Sequence, residues 1–336
     1  MRYIDAFCHF FPQSVFRLMS ETSGGTTDVG KRMQGVRTVW DLDARLKMME
    51  PFQDYTEVIS LGLPPLEGLT RPDKTPEFAK VANDGLAELC ARHPNRFVGY
   101  VGALPMDNPD AAVKEAERIL VRGNANGLQL HTHVNGHCLD EPQFLPIFEL
   151  AAKTGKPICL HPARTPNVPD FPAEKKSRYE IWTIFGWPYE TSATMARLVF
   201  SGVMTKFPDI KILTHHLGAM IPFFDARIDT GWATLGSRTS DEDYSHVLPS
   251  LGKPLLDCFK QFYGDTALCG SRAGTVCGLE FFGADHVLFA SDAPFGPGGG
   301  AGYIRGSMDV MASLDIPQGD NEKICYRNAQ TFFGLK

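Results

Sequence analysis

The sequence has no excess of basic residues: 33 lysines and arginines stand against 39 aspartates and glutamates, a net charge of −6. That sign argues against a partner gripped through its phosphate backbone, so no nucleic acid is expected. Long apolar runs are also missing. The longest, Leu217–Phe224, falls far below the roughly 18 residues that cross a bilayer. Asp5 lies where a signal peptide needs an apolar stretch. The expectation is a cytoplasmic protein with no membrane partner. The eight cysteines include no CxxC pair, which excludes a structural zinc knuckle and a disulfide framework and leaves most of them as buried thiols. No GxGxxG follows the first strand, and no GxSxG occurs anywhere. The first absence weakens an open dinucleotide-binding sheet, and the second removes a serine hydrolase.

What is present is a core-forming composition, 43% hydrophobic and 21% charged over 336 residues. Short apolar runs alternate with longer amphipathic stretches along the whole chain, which is the βα pattern. Eight strands are expected, at Tyr3–Phe7, Glu57–Leu61, Phe97–Gly102, Gly127–His131, Pro157–His161, Ile210–Thr214, Phe259–Tyr263 and His286–Ala290. Asn108-Pro109 should cap a helix over Asp110–Leu120, and Gly155 should end one that Asp140 opens. Eight such units in one chain predict a single α/β domain over 1–336, a (β/α)8 TIM barrel with loop insertions. The alternative is an open doubly wound sheet with a cap. Long connections at Ser20–Thr38 and Ala163–Ser177 follow strand ends, where barrels carry substrate loops. The Gly-rich stretch Pro294–Gly302 lacks the Lys-Ser/Thr pair of a phosphate loop and reads as a mobile loop.

A barrel enzyme carries its chemistry at the C-terminal ends of its strands. There the sequence places Cys8-His9, His161, His215-His216 and Ser291-Asp292. Imidazoles and a carboxylate from four strands suit zinc or a similar divalent ion, with a position left for water. Strict alternation would put Asp5, Phe7 and His9 on one face and Cys8 on the other, which makes His9 the ligand candidate. Alternation does not choose between His215 and His216. His131 and His133, ending strand four, are candidates to line the pocket. Arg227, read alone, is a surface or ion-pairing arginine, although arginine is the residue that holds a carboxylate bidentately.

The ordered pieces IDAFCHFFP (4–12), GLQLHTHVNG (127–136), CLHP (159–162), WPYET (187–191), KFPDIKILTHHLGAMIPF (206–223) and FASDAPFG (289–296) resemble the amidohydrolase-related decarboxylases. Aminocarboxymuconate semialdehyde decarboxylase and, more distantly, γ-resorcylate decarboxylase are the members they are most similar to. The resemblance implies a distorted barrel, usually a homodimer, with one divalent metal, commonly zinc, manganese being the other choice. It implies metal ligation by His9, His161 and Asp292. His216 becomes the acid/base beside the metal, because the six-residue step to Pro222 fits it and not His215. Arg227, eleven residues further on, matches an arginine that binds substrate carboxylate across the subunit interface. One departure stands out: the first histidine of the family's strand-one HxH is Phe7 here. That change should weaken the metal site and add an apolar wall for a flat substrate. The implied activity is metal-dependent, non-oxidative decarboxylation of a small unsaturated or aromatic carboxylic acid, with His216 moving the proton and Asp292 acting as both ligand and catalytic carboxylate. Hydrolysis or hydration of an ester, lactone, amide or carbon–carbon bond by the same site is the alternative. A metal-free binding protein is a third reading.

Overall fold

The computed structural model describes residues 1–22, 29–238 and 241–335. Its frame is one parallel eight-stranded sheet whose strands follow one another in chain order. They are β1 (Tyr3–His9), β2 (Tyr55–Ser60), β3 (Phe97–Ala103), β4 (Gly127–His131), β5 (Ile158–His161), β6 (Ile212–Thr214), β7 (Tyr263–Asp265) and β8 (Val287–Leu288). The first and last strands meet: Ala6 N donates to Phe289 O at 2.9 Å and His9 N to Ala293 O at 2.8 Å. The sheet therefore forms a nearly closed barrel.

Helices connect the strands, and their ends follow local chemistry. The Asn108 side chain accepts from Ala111 N at the start of helix Pro109–Glu117, and Gly155, at φ 66°, ends helix Leu145–Thr154 in the left-handed conformation. Beyond Glu117 the first of these helices widens into a π-turn over Arg118–Arg122. The long connection expected at Ser20–Thr38 is in part helical: helices Gln13–Thr22 and Val29–Gly35 lie after β1, while residues 23–28 lie outside the described residues. In Pro294–Gly302 a short turn over Pro297–Gly300 leads into the next helix. Thr38 Oγ1 donates to Gly299 O at 2.9 Å, and Gly296 lies so close to the Tyr303 ring that a Cβ there would meet it at 2.6 Å.

The expected strand at Phe259–Tyr263 is displaced. Pro254 precedes a short helix over Leu255–Phe259, which uses those apolar residues against the outer layer, and the strand starts at Tyr263. Strand β1 also departs from simple alternation. Asp5 pairs with Glu57 but Cys8 pairs with Ile59, so one extra residue is accommodated between them as a bulge. Ile4, Ala6 and Phe7 consequently all join the barrel interior, whereas Asp5 turns outward with Cys8. Only Phe7 and His9 share a face as expected.

Two apolar clusters result. The larger lies between sheet and helices; the smaller fills the barrel with Ile4, Ala6, Val58, Val101, Cys159, Leu213, Leu288 and Ala290. Phe332 and Phe333 of the last helix pack into this filling beside Val98 and Tyr263, which begin near the strand starts. They close the N-terminal end, so the interior opens only at the C-terminal end. Four cysteines are buried, three are half-buried and Cys269 is exposed; all eight are free thiols.

Candidate metal and active site

Alternation along each strand carries the interior face up to the barrel mouth. Cys159 leads to His161, Leu213 to His215, Gln129 to His131, and Leu288 and Ala290 to Asp292. The side-chain nitrogens of His9, His161 and His215 lie within 4.8 Å of one another. Asp292 Oδ1 is 3.3 Å from His9 Nε2 and 3.4 Å from His215 Nε2. Asp292 itself adopts φ 64°, a conformation that costs a non-glycine residue free energy and persists where surrounding structure enforces it.

Each of the three imidazoles is tied at Nδ1. His9 Nδ1 is 3.3 Å from Ser60 Oγ, whose own proton goes to Cys8 O. His161 Nδ1 donates to Pro162 O at 2.7 Å, and His215 Nδ1 to Asp265 Oδ2 at 2.7 Å. Nε2 is thereby left pointing at the others, and on His9 and His215 this buried atom has no hydrogen-bond partner. Buried unpartnered donors or acceptors are costly. A cluster of imidazoles held by Nδ1–H bonds with Nε2 converging on a carboxylate is the arrangement that metal sites use, and the residues present fit a divalent ion.

The electrostatics agree with a cation here. Burial works against charge on His215, but the Asp265 and Asp292 carboxylates outweigh it and lift its pKa to about 10. Burial would also raise Asp292, yet the neighbouring His215 and His9 imidazoles hold it well below the usual carboxylate range. A divalent ion at this nitrogen would compete with its proton. Burial pushes His9 down, and pushes His161 down well below an ordinary imidazole.

His216 sits just outside this group. Its ring stacks on His215 with centroids 3.8 Å apart, Nδ1 donates to Ala267 O at 2.7 Å, and its backbone N donates to Asp265 Oδ1 at 3.0 Å. Burial, with the neighbouring His215, lowers its pKa to about 4. His216 is thus a neutral imidazole with Nε2 as its acceptor. The rim includes His131, 5.6 Å from the His161 ring, Trp187 at 6.3 Å, and Phe295, 5.8 Å from His9. Arg32, on the helix after β1, lies with its guanidinium 4.8 Å from the Phe295 ring centre.

Residues 4–335 match the family model described as Amidohydrolase. The chain belongs to the amidohydrolase family. This amidohydrolase is 30% identical over 302 residues to a γ-resorcylate decarboxylase from Rhizobium radiobacter, covering 87% of each chain. It is 29% identical to a 2-amino-3-carboxymuconate-6-semialdehyde decarboxylase from Dictyostelium discoideum, covering 88% of this chain and 77% of that one. Among solved structures, 2,6-dihydroxybenzoate decarboxylase complexed with 2,6-dihydroxybenzoate matches with a TM-score of 0.78 at 25% identity over all of both chains. A dihydroxybenzoic acid decarboxylase from Polaromonas, solved with manganese and 2-nitroresorcinol, matches with a TM-score of 0.75 at 24% identity, covering 99% of this chain and 97% of that one.

In this amidohydrolase the structure brings together Phe7, His9, His161, His216 and Asp292. It does not bring Arg227 to them. Arg227 lines an open groove of 1280 Å³ with Met220, Phe224, Trp232 and Arg238, which holds none of the clustered histidines. His131 reaches the rim, while His133 turns away to within 3.7 Å of Glu190. Three contributors escape the local signals of the sequence. Alternation alone does not separate His215 from its neighbour. Asp265, which holds it, lies at a strand that the apolar pattern misplaced. Arg32 sits on a helix inside a stretch whose glycines and serines read as loop.

Proposed function

We propose that this amidohydrolase is a metal-dependent, non-oxidative decarboxylase of a small aromatic or unsaturated carboxylic acid, working as one domain over 1–336. The observation that carries this reading is the match across 87% of both chains to an enzyme named for decarboxylating γ-resorcylate, in a chain whose barrel mouth converges imidazoles on Asp292. Zinc is the expected ion on imidazole ligands. Manganese has equal support from the carboxylate and from the manganese in the Polaromonas structure.

His9, His161 and Asp292 would hold the ion. When bound, it supplies Lewis acidity that fixes the substrate's oxygens and offsets their charge. The reaction breaks one carbon–carbon bond: the carboxylate leaves as carbon dioxide, its bonding pair stays on the ring or alkene carbon, and that carbon takes one proton. His216 is built to move that proton. With Nδ1–H fixed on Ala267 O, its neutral Nε2 takes a proton from an acidic hydroxyl of the substrate and returns it to the carbon. Phe7, Trp187 and Phe295 present flat apolar surfaces to a ring. Arg227 binds a substrate carboxylate or oxygen in the neighbouring subunit of a homodimer, a role that its place in a groove apart from the clustered histidines supports. Eight free thiols fit a reducing, cytoplasmic setting.

The test is a panel of hydroxybenzoates and unsaturated dicarboxylates assayed for released carbon dioxide, with esters and lactones assayed in parallel for hydrolysis. The decarboxylase reading expects carbon dioxide from at least one acid and no ester or lactone turnover. Hydrolysis without carbon dioxide release would replace it with the hydrolase reading.

A further inference from the structure

The first histidine of the family's strand-one pair is replaced by Phe7 in this chain, and yet three imidazoles still converge at the barrel mouth. We propose that His215 supplies the missing ligand, so that the ion is held by His9, His161, His215 and Asp292. The inference rests on the metal part of the function proposed above.

Four observations carry it. Leu213 points into the barrel filling, so His215, two residues on, continues the interior face to the mouth. Its ring is fully buried and Nε2 has no hydrogen-bond partner, a costly state for a polar atom unless something binds it. Nδ1 is fixed by Asp265 Oδ2, and that carboxylate is itself fixed, because Oδ1 accepts from His216 N and Ala267 N, each at 3.0 Å. This is a carboxylate–histidine pair with its free nitrogen aimed at the cluster. Finally, Phe7 stacks flat on His215 with centroids 4.2 Å apart. The ring at position 7 packs against the substitute rather than reaching the ion. Adjacent histidines then divide the work. His215 binds the ion, and His216, whose Nδ1 is bonded to a backbone carbonyl and which is less deeply buried, is left to move protons.

The experiment is equilibrium dialysis of the full chain against Mn2+ alone and Zn2+ alone, with bound metal measured by elemental analysis. Folding is checked by near-ultraviolet circular dichroism and by the melting temperature in chelator. Wild type is expected to hold one ion per chain. His215→Gln should weaken binding, and Asp265→Asn, which keeps the Oδ1 acceptor, should lower affinity about 10–100-fold, the usual cost of losing a ligand's supporting carboxylate. His216→Gln should leave affinity unchanged. The double variant Phe7→His with His215→Ala should regain metal, because it restores the strand-one pair in place of the substitute. A purely structural role for His215 would not give that rescue. Unchanged affinity in folded His215→Gln, or loss in His216→Gln alone, would overturn this inference and leave the metal reading standing. A wild type that holds no ion after exposure to either metal would overturn both. If His215→Gln does not fold, Asp265→Asn and the double variant decide the question.

Discussion

Phe7 and His215 lie face to face, with ring centroids 4.2 Å apart and planes 18° from parallel. On its other side His215 meets His216 at 3.8 Å. An imidazole clamped between two rings and bonded at Nδ1 has one free nitrogen and one direction in which to use it. The residue that breaks the family's strand-one pair is therefore part of what orients its replacement.

The two adjacent histidines should separate in kinetics. His216→Gln is expected to lower kcat about 10²–10⁴-fold, the usual range for a lost general acid or base, with bound metal and KM little changed. Steady-state rates and metal content measured on the same preparation check this.

Arg227 should act in trans. Arg227→Ala and Asp292→Ala are each expected to be inactive as purified. A mixture dissociated and reassembled should recover activity, because mixed dimers contain one site with both residues intact. No recovery from a mixture shown to have exchanged subunits would remove the cross-subunit role.

Beneath the site, Arg45 is fully buried and donates from Nε and Nη2 to Glu57 Oε2 at 3.0 and 2.9 Å. Tyr55 Oη links Glu57 to Asp5, and Asp5 Oδ1 accepts from Ser291 N next to Asp292. Arg45→Met strands a buried carboxylate and should cost about 3–5 kcal/mol, read from the denaturation midpoint. Metal affinity should fall with it as the segment carrying Asp292 loosens.

Glu67, in the turn Leu66–Gly68, has its carboxyl pushed up to about 7 by burial and by the charge of Asp107. Between its ordinary value of 4.5 and 7 the folded chain binds more protons than the unfolded one, so stability falls as pH rises through that window. Glu67→Gln should flatten that part of the profile and gain about 1–3 kcal/mol at pH 8. Denaturation midpoints between pH 5 and 8 test it.

Much of this was legible in the sequence, because the βα rhythm and the polar residues at strand ends are local signals. All eight expected strands overlap observed ones, the one at Phe259–Tyr263 at Tyr263 alone, and the structure places His9, His161 and Asp292 at the barrel mouth. What was hidden depends on register. The bulge in β1 turns Asp5 away from Phe7, and nothing in the run IDAFCH announces it. Choosing between His215 and His216 needs the pairing of Leu213 with Cys159, which fixes the inward face of a three-residue strand. The strand at Tyr263–Asp265 is short and carries the polar Asp265, so the apolar stretch before it drew the expectation upstream.

The central claim is that a bound ion at this histidine–aspartate cluster makes the protein a decarboxylase. It is tested most directly by stripping the purified protein with chelator, returning metal in measured steps, and following released carbon dioxide from 2,6-dihydroxybenzoate or whichever acid of the panel is turned over. The account predicts a rate that rises in proportion to bound metal and levels off at one ion per chain, with no rise in His161→Ala or Asp292→Ala. A rate that survives complete removal of metal, or that is unchanged in those variants, would contradict it.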